Sequence, residues 1–256
     1  MYKEHPSFTR PKGNKLKIWR YMDFTKYLSL IETKTLHFAR SDTLGDPFEG
    51  SYPEKNVKQR EKSFTNFLNQ LPSGPRMIVK EKAFNFSNIY QQIRSLIYIS
   101  SWHENQYESA AMWKLYLQSN EGIAVQSTFG RFKDCFLPNT PEIYIGEVQY
   151  RDYSQEKIPE GNFYAPFLHK RKSFEHEKEL RALVFNLPHT ATGKSDLSKN
   201  TPKGLNIPVD LQKLIANIFI SPESPEWFVK LVRSVNKTYK LATQVNQSGL
   251  DAKPLY

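Results

Sequence analysis

The 256-residue chain has one cysteine, Cys135. A lone thiol rules out an internal disulfide and any zinc site built from several cysteines, and it fits a reducing cytoplasm. No apolar run approaches the length of a membrane span, and the opening MYKEHPSFTRPKGNKLK lacks the apolar centre of a signal peptide. An intracellular protein with no membrane contact is therefore expected. There is no Walker loop and no G-x-G-x-x-G, which excludes the usual nucleotide-binding loops. G-x-S-x-G is also missing, and Cys135 has no thiol-protease context. His169 and His176 stand seven apart beside glutamates, a spacing that matches no usual metal pattern, so no metal site is assigned.

Hydrophobic residues make up 39% of the chain and aromatics 14%, enough to build a sizeable core. The net charge is +10, unevenly spread: residues 1–40 carry nine Lys/Arg against three Asp/Glu. Residues 1–15, broken by prolines and a glycine, read as a flexible basic arm suited to a polyanion such as nucleic acid. A single α+β domain is expected over 16–246, with a central, largely antiparallel sheet flanked by helices, and a tail over 247–256.

The local pattern predicts strands at 16–22, 36–40, 96–102, 122–128, 143–150, 177–185 and 218–221. Helices are expected over 24–33, capped by Asp23, and over 54–71, 83–94 and 108–117. A last helix opens on Ser224-Pro225-Glu226 and runs to Tyr239. Residues 41–54 and 188–204 read as loops.

The densest chemistry lies in FEHEKELR, residues 174–181. In an extended chain Glu177, Glu179 and Arg181 share one face. Close carboxylates raise each other's pKa or need a cation between them, so this face suits either catalysis or an ion-pair ladder with Lys170, Arg171 or Lys172. Arg20 and Tyr21 sit on an early strand, where a guanidinium can grip a phosphate or simply pair with Glu177 or Glu179. Asp46-Pro47-Phe48-Glu49 forms a stiffened turn, either at a cleft or on the surface. Trp102 offers a stacking surface, and Trp113 fits core packing by its spacing. His103 is either a general base or a surface histidine at a strand end.

The order of these motifs is more specific than any one of them. Trp19-Arg20-Tyr21, then Gly45-Asp46-Pro47-Phe48-Glu49, then SSWHENQYESAAMWKLY, SNEGIAVQST and FEHEKELR span residues 19–185. This succession resembles the bacterial family catalogued as domain of unknown function twenty-nine seventy-one. Gly45 stands where that family usually has asparagine, Phe174 where it has tryptophan, and Leu180 where it has an aromatic. The family name implies no activity.

Arg20, then Ser100-Ser101-Trp102, then Glu177-x-Glu179 also loosely resembles the order of the ADP-ribosyltransferases. That resemblance implies NAD as co-substrate, with Glu177 and Glu179 catalytic and Arg20 on the pyrophosphate. Tyr21 or Trp102 would stack on nicotinamide, and Asp46, Phe48, Glu49, His103 and Arg181 would complete the binding set. Nucleic acid or protein would be the acceptor, in a setting of bacterial defence or toxin conflict. Two alternatives stand beside it. One is a non-catalytic nucleic-acid or protein-binding module in which the same charges form a structural network. The other is a metal-dependent nuclease using Asp46, Glu49, Glu177 and Glu179.

Overall fold

The computed structural model describes all residues except 73–74, 76–90, 118–119, 189–191, 193–200 and 253–256. The strands are β1 Tyr2–Lys3, β2 Lys17–Asp23, β3 Thr35–Arg40, β4 Ile97–Glu104, β5 Gly122–Thr128, β6 Ile143–Glu147, β7 Gln149–Arg151, β8 His169–Arg171, β9 Glu179–Phe185, β10 Gly204–Pro208, β11 Asn217–Ile220 and β12 Val245–Gln247. The described helices are α1 Phe24–Thr33, α2 Glu54–Asn69, α3 Ala110–Tyr116, α4 Phe129–Asp134, α5 Leu211–Leu214 and α6 Glu226–Thr238.

One mixed, mainly antiparallel sheet runs in the order β1-β6-β9-β4-β2-β5-β11-β12, and β3 joins it through β4 and carries β10 on its far side. The expected α+β class with a largely antiparallel central sheet is what the fold is. β7 and β8 leave this sheet and pair with each other in parallel.

Side chains alternate across each strand, so the sheet has two faces with separate cores. On one face Ile18, Met22, Trp102, Ile123, Val125, Leu180, Ala182 and Val184 pack with α1, α4 and α6 in the main core. α1 begins where Asp23 accepts the backbone N–H of Lys26 (2.8 Å), and it buries Tyr27, Leu30 and Ile31. It ends at Lys34 in a left-handed conformation (φ 52°). On the opposite face Trp19, Tyr21, Met112, Trp113 and Ala124 form a small aromatic core under α3. A third cluster of Phe8, Ile97, Ile99, Phe167 and Leu183 lies nearby.

The sheet forks at β4. β2 pairs with it only at Ile18↔Glu104 and Trp19↔His103, then continues along β5. The other end of the same edge is taken by β3, through Ala39↔Ile99 and Arg40↔Tyr98. A gap opens between the two prongs.

Several expectations need correction. Residues 1–15 lie along the domain and do not project from it. β1 pairs with β6, the amino terminus meets the carbonyl of Thr140 (3.1 Å), and the ring of Phe8 is buried. The apolar anchors Tyr2 and Phe8 outweigh the basic character of the segment. The expected strand over 143–150 breaks at Val148, where the chain turns toward β8. The strand expected from Glu177 begins at Glu179, because residues 172–177 form a 3-10 turn closed by Lys178 in the left-handed region (φ 38°). The polar stretch expected as a loop over 188–204 ends by entering β10. Ser224 does not cap α6; it donates to the carbonyl of Asn120, and Pro225 occupies the cap. The tail is held as far as residue 252, with Gln247 Nε2 on the Ser221 carbonyl (2.8 Å) and Gly249 N–H on Glu108 Oε1 (3.1 Å). Of the helix expected over 83–94, residues 83–90 lie outside the described residues and 91–94 are helical.

Candidate functional site

The fork in the sheet opens into a cleft of about 790 Å³. Arg20, Tyr21, Asp46, Glu49, Trp102, His103, Glu177, Glu179 and Arg181 all line it. Phe48 does not. Its ring stands 46% exposed outside the cleft, with the Arg171 guanidinium 4.3 Å from its centroid.

Arg20 spans the fork. It leaves β2, donates Nη1 to Ser100 Oγ on β4, and donates Nη2 to the His37 carbonyl on β3 (3.2 Å). Neither Glu177 nor Glu179 pairs with it, and among the described residues no carboxylate lies within ion-pair distance. Burial without a counter-charge pushes the guanidinium down to about 10, so the charge is held at a cost that an incoming anion would relieve.

Across the cleft an alternating chain of charges runs Glu177–Lys170–Glu179–Arg181–Glu49. Arg181, 1% exposed, donates Nε to Glu179 Oε2 (2.6 Å), and it clasps Glu49 through Nη1–Oε1 (2.6 Å) and Nη2–Oε2 (2.9 Å). Its Nη1 also reaches the Phe167 carbonyl (2.8 Å). Lys170 Nζ bonds both Glu177 Oε2 and Glu179 Oε1, the latter at 2.7 Å. Gly50 (φ 70°) lets the loop bearing Glu49 press against Phe167, where a Cβ would collide with the ring.

The two carboxyls of FEHEKELR therefore differ. Burial alone would raise Glu179, yet Arg181 and Lys170 beside it hold it well below the usual range, so it is ionised. Glu177 is pushed up to about 7, first by burial and then by its hydrogen bond to the charged Glu179. Like charges in one site drive the proton onto one member. Glu177 is the member that holds it.

His103 is buried. Its Nδ1 donates to the Glu177 carbonyl (2.7 Å), leaving Nε2 buried without a partner among the described residues. Burial lowers its pKa, so the ring is neutral and anchors the backbone beneath Glu177. Tyr21 is also packed in, its ring edge-on to Trp113 at 4.9 Å and its hydroxyl accepting from Ser109 N–H (2.9 Å). Trp102, 1% exposed, lies against Phe132 (4.9 Å). Neither ring offers the free face that stacking on a ligand requires, which corrects the stacking role expected of them. Asp46 accepts from Arg171 Nη2 (2.8 Å) and from Phe48 N–H (3.0 Å), so it fixes its own loop.

No protein-family profile matches the chain, and no curated protein matches it. Two solved structures of Thermus sp. 2.9 DarT are similar to it. One, in complex with NAD+, has 10% identity and a TM-score of 0.41, with 96% of this chain and all of the other covered. The second, in complex with ADP-ribosylated ssDNA, has 9% identity and a TM-score of 0.39, covering 94% and 96%. Similarity this distant leaves the chemistry of the cleft to its own residues.

Those residues include four that the motif reading passed over as site members. Lys170 joins the two carboxyls. Tyr116, 46% exposed at the end of α3, has its hydroxyl in the field of Glu177, Glu179, Arg181 and Arg20. Phe174 lines the cleft, with Lys170 Nζ 4.5 Å from its centroid. His37 lines the β3 side and is held by Asn206 through Nδ1 (2.9 Å). Lys170 was expected as an ion-pair partner of Glu177 and Glu179, and Tyr116 left a trace as an aromatic three residues beyond Trp113 on the same helix.

The cleft thus has a cation without a carboxylate partner among the described residues on one wall, a proton-holding carboxyl on the other, and a half-exposed tyrosine ring at the rim. It can receive an elongated ligand that carries an anion and a reacting centre at separate points.

Proposed function

We propose that the chain is an NAD-using enzyme of the ADP-ribosyltransferase type, acting on nucleic acid or protein. The observation that carries this reading is the pairing within one cleft of an uncompensated guanidinium, Arg20, with a carboxyl titrating near 7, Glu177. A dinucleotide presents a pyrophosphate and a glycosidic carbon at separate points, which matches that division. Arg20 would take the pyrophosphate. Tyr116 and Phe174 would flank the nicotinamide end.

In the transfer, the bond between the ribose anomeric carbon and the nicotinamide nitrogen breaks, and the base leaves with the electron pair. The anomeric carbon gains oxocarbenium character, which ionised Glu177 stabilises through the ribose. The acceptor nucleophile then bonds to that carbon and gives its proton to Glu177. A group poised near neutral pH suits this exchange. Glu179, His103, Arg181 and Glu49 hold it in place.

Outside the cleft, Arg171 lies between Phe48 (4.3 Å) and Phe174 (5.3 Å), a cation between two rings that suits an acceptor with bases and phosphates. The nuclease reading is less favoured. Glu49 and Glu179 spend their oxygens on Arg181, and Asp46 pairs with Arg171. The complete burial of Glu49, Glu179 and Arg181 favours the binding-module reading as the second choice.

The test is nicotinamide release from NAD with oligonucleotide and protein acceptors. Wild type is expected to release it, and Glu177→Gln to lose release while keeping its circular dichroism spectrum. Failure of wild type to bind NAD by calorimetry would sink this reading and leave the binding module.

A further inference from the structure

We infer that Lys170 is a positioning residue that lets Glu177 carry a negative charge beside Glu179, which Arg181 already keeps ionised. The chemical use of that charge rests on the transferase reading; its assignment does not.

The geometry is asymmetric. Glu179 has two cations, Arg181 through Nε (2.6 Å) and Lys170 (2.7 Å). Among the described residues Glu177 has only Lys170, and shares it. Lys170 comes from β8, in the small β7–β8 sheet, and not from β9, so the lysine couples an independent element to the cleft wall. Its side chain is 9% exposed and its ammonium is covered by the Phe174 ring at 4.5 Å, leaving little room for water to replace it. A compact ammonium with three donors can bond two carboxylates at once.

The other groups facing Glu177 do not compete for this task. His103 holds the backbone carbonyl and not the carboxyl. Tyr150, on β7, is occupied as acceptor of the Glu179 N–H (2.8 Å). Tyr116 is a neutral phenol: its residue is 46% exposed, but its hydroxyl end is buried in the cleft, and that burial and then the Glu177 and Glu179 charges raise its pKa. Arg181 is spent on Glu179, Glu49 and the Phe167 carbonyl. Removing Lys170 therefore takes away the one cation on Glu177 among the described residues but leaves Glu179 with Arg181. The proton then binds more tightly to Glu177, and the ionised form needed at neutral pH is lost.

The test is a carbon-13 NMR titration of glutamate side-chain carboxyls, with the Glu177 resonance assigned from its absence in Glu177→Gln. In Lys170→Met its midpoint should rise by about one to three pH units. Lys170→Arg, which keeps the charge, should restore at least half of that shift. A folded Lys170→Met with an unmoved Glu177 midpoint would overturn the proposal. Should Lys170→Met not fold, Glu179→Gln tests the same sharing from the other side. Relieved of its charged neighbour and given undivided possession of Lys170, Glu177 should then titrate lower, and an unchanged or higher midpoint overturns the proposal. These titrations need no turnover, so a protein that never touches NAD would refute the transferase reading and leave this one standing. If NAD is turned over, the acid limb of the kcat–pH profile should move to higher pH in Lys170→Met.

Discussion

Arg181 and Glu49, 132 residues apart in the chain, face each other as a two-pronged pair with Nη1–Oε1 at 2.6 Å and Nη2–Oε2 at 2.9 Å. Both side chains are out of water. This contact ties the loop after β3 to the middle of the sheet. Removing Glu49 leaves Arg181 with Glu179 alone and the buried cluster with one positive charge in excess. Glu49→Gln is expected to destabilise the fold by about 3 kcal/mol, because breaking a buried pair costs more than the pair contributes. Urea denaturation measures the loss. A Glu49→Leu/Arg181→Met double variant should lose less than the two single losses added together. Simple additivity would mean that the two residues act independently.

Arg20 gives the opposite balance. It is the cleft cation with no carboxylate partner among the described residues, so the fold bears its burial for something other than stability. Arg20→Met should change unfolding free energy by no more than about 1 kcal/mol, since relief of the unpaired charge offsets two lost hydrogen bonds. The same change should weaken NAD binding by about 2 kcal/mol, roughly thirtyfold, the worth of a charge-assisted bond to phosphate. Calorimetric titration distinguishes the two effects. Unchanged affinity would remove Arg20 from the pyrophosphate.

Much of this arrangement could be read along the chain, and the rest could not, for physical reasons. Asp23 followed by an apolar 3.6-residue repeat carries its own instructions, and α1 forms where that pattern lies. Arg20, Glu177, Glu179 and Arg181 were marked by residue type, and the sheet brings them to one cleft. Lys170, seven and nine residues from the two glutamates, was marked as a ladder partner, whereas the choice of Glu49 for Arg181, 132 residues away, depends on elements far apart in sequence and was not marked. Lys178 was also hidden. FEHEKELR alternates like a strand, but one left-handed residue ends the alternation and sets Glu177 off the strand that carries Glu179. β10 was obscured because GLNIP is a short edge strand with weak alternation and a closing proline. Trp102 and Tyr21 were read as stacking surfaces because an aromatic's type does not reveal whether its faces are already covered.

Tyr116 supplies the exposed ring that those two cannot. It is 46% exposed at the cleft rim and contributes little to the core. Tyr116→Ala should therefore leave thermal stability nearly unchanged while weakening ligand binding about tenfold, the lower end of what stacking on an aromatic is worth. Tyr116→Phe should keep the affinity. If alanine and wild type bind NAD equally, the rim tyrosine has no ligand contact.

The proton on Glu177 has a consequence for stability as well as chemistry. Its folded pKa, about 7, lies above the ordinary value of 4.5, so the fold binds this proton more tightly than the unfolded chain does. Its contribution is fully present below pH 4.5 and is lost as pH rises through 7. Glu179 runs the other way, because its depressed pKa supports the fold above pH 4.5 and fails as pH falls. His103, also depressed, adds stability that is lost below pH 6.5. Whole-protein stability mixes these slopes, but the difference between wild type and Glu177→Gln isolates one of them. That difference should shift steadily against wild type between pH 4.5 and pH 7 in urea denaturation series, because the amide carries no titrating proton. A difference that is flat across this window would mean that Glu177 titrates as an ordinary carboxyl, and the cleft would then lack the neutral-pH acid–base group on which the proposed transfer depends.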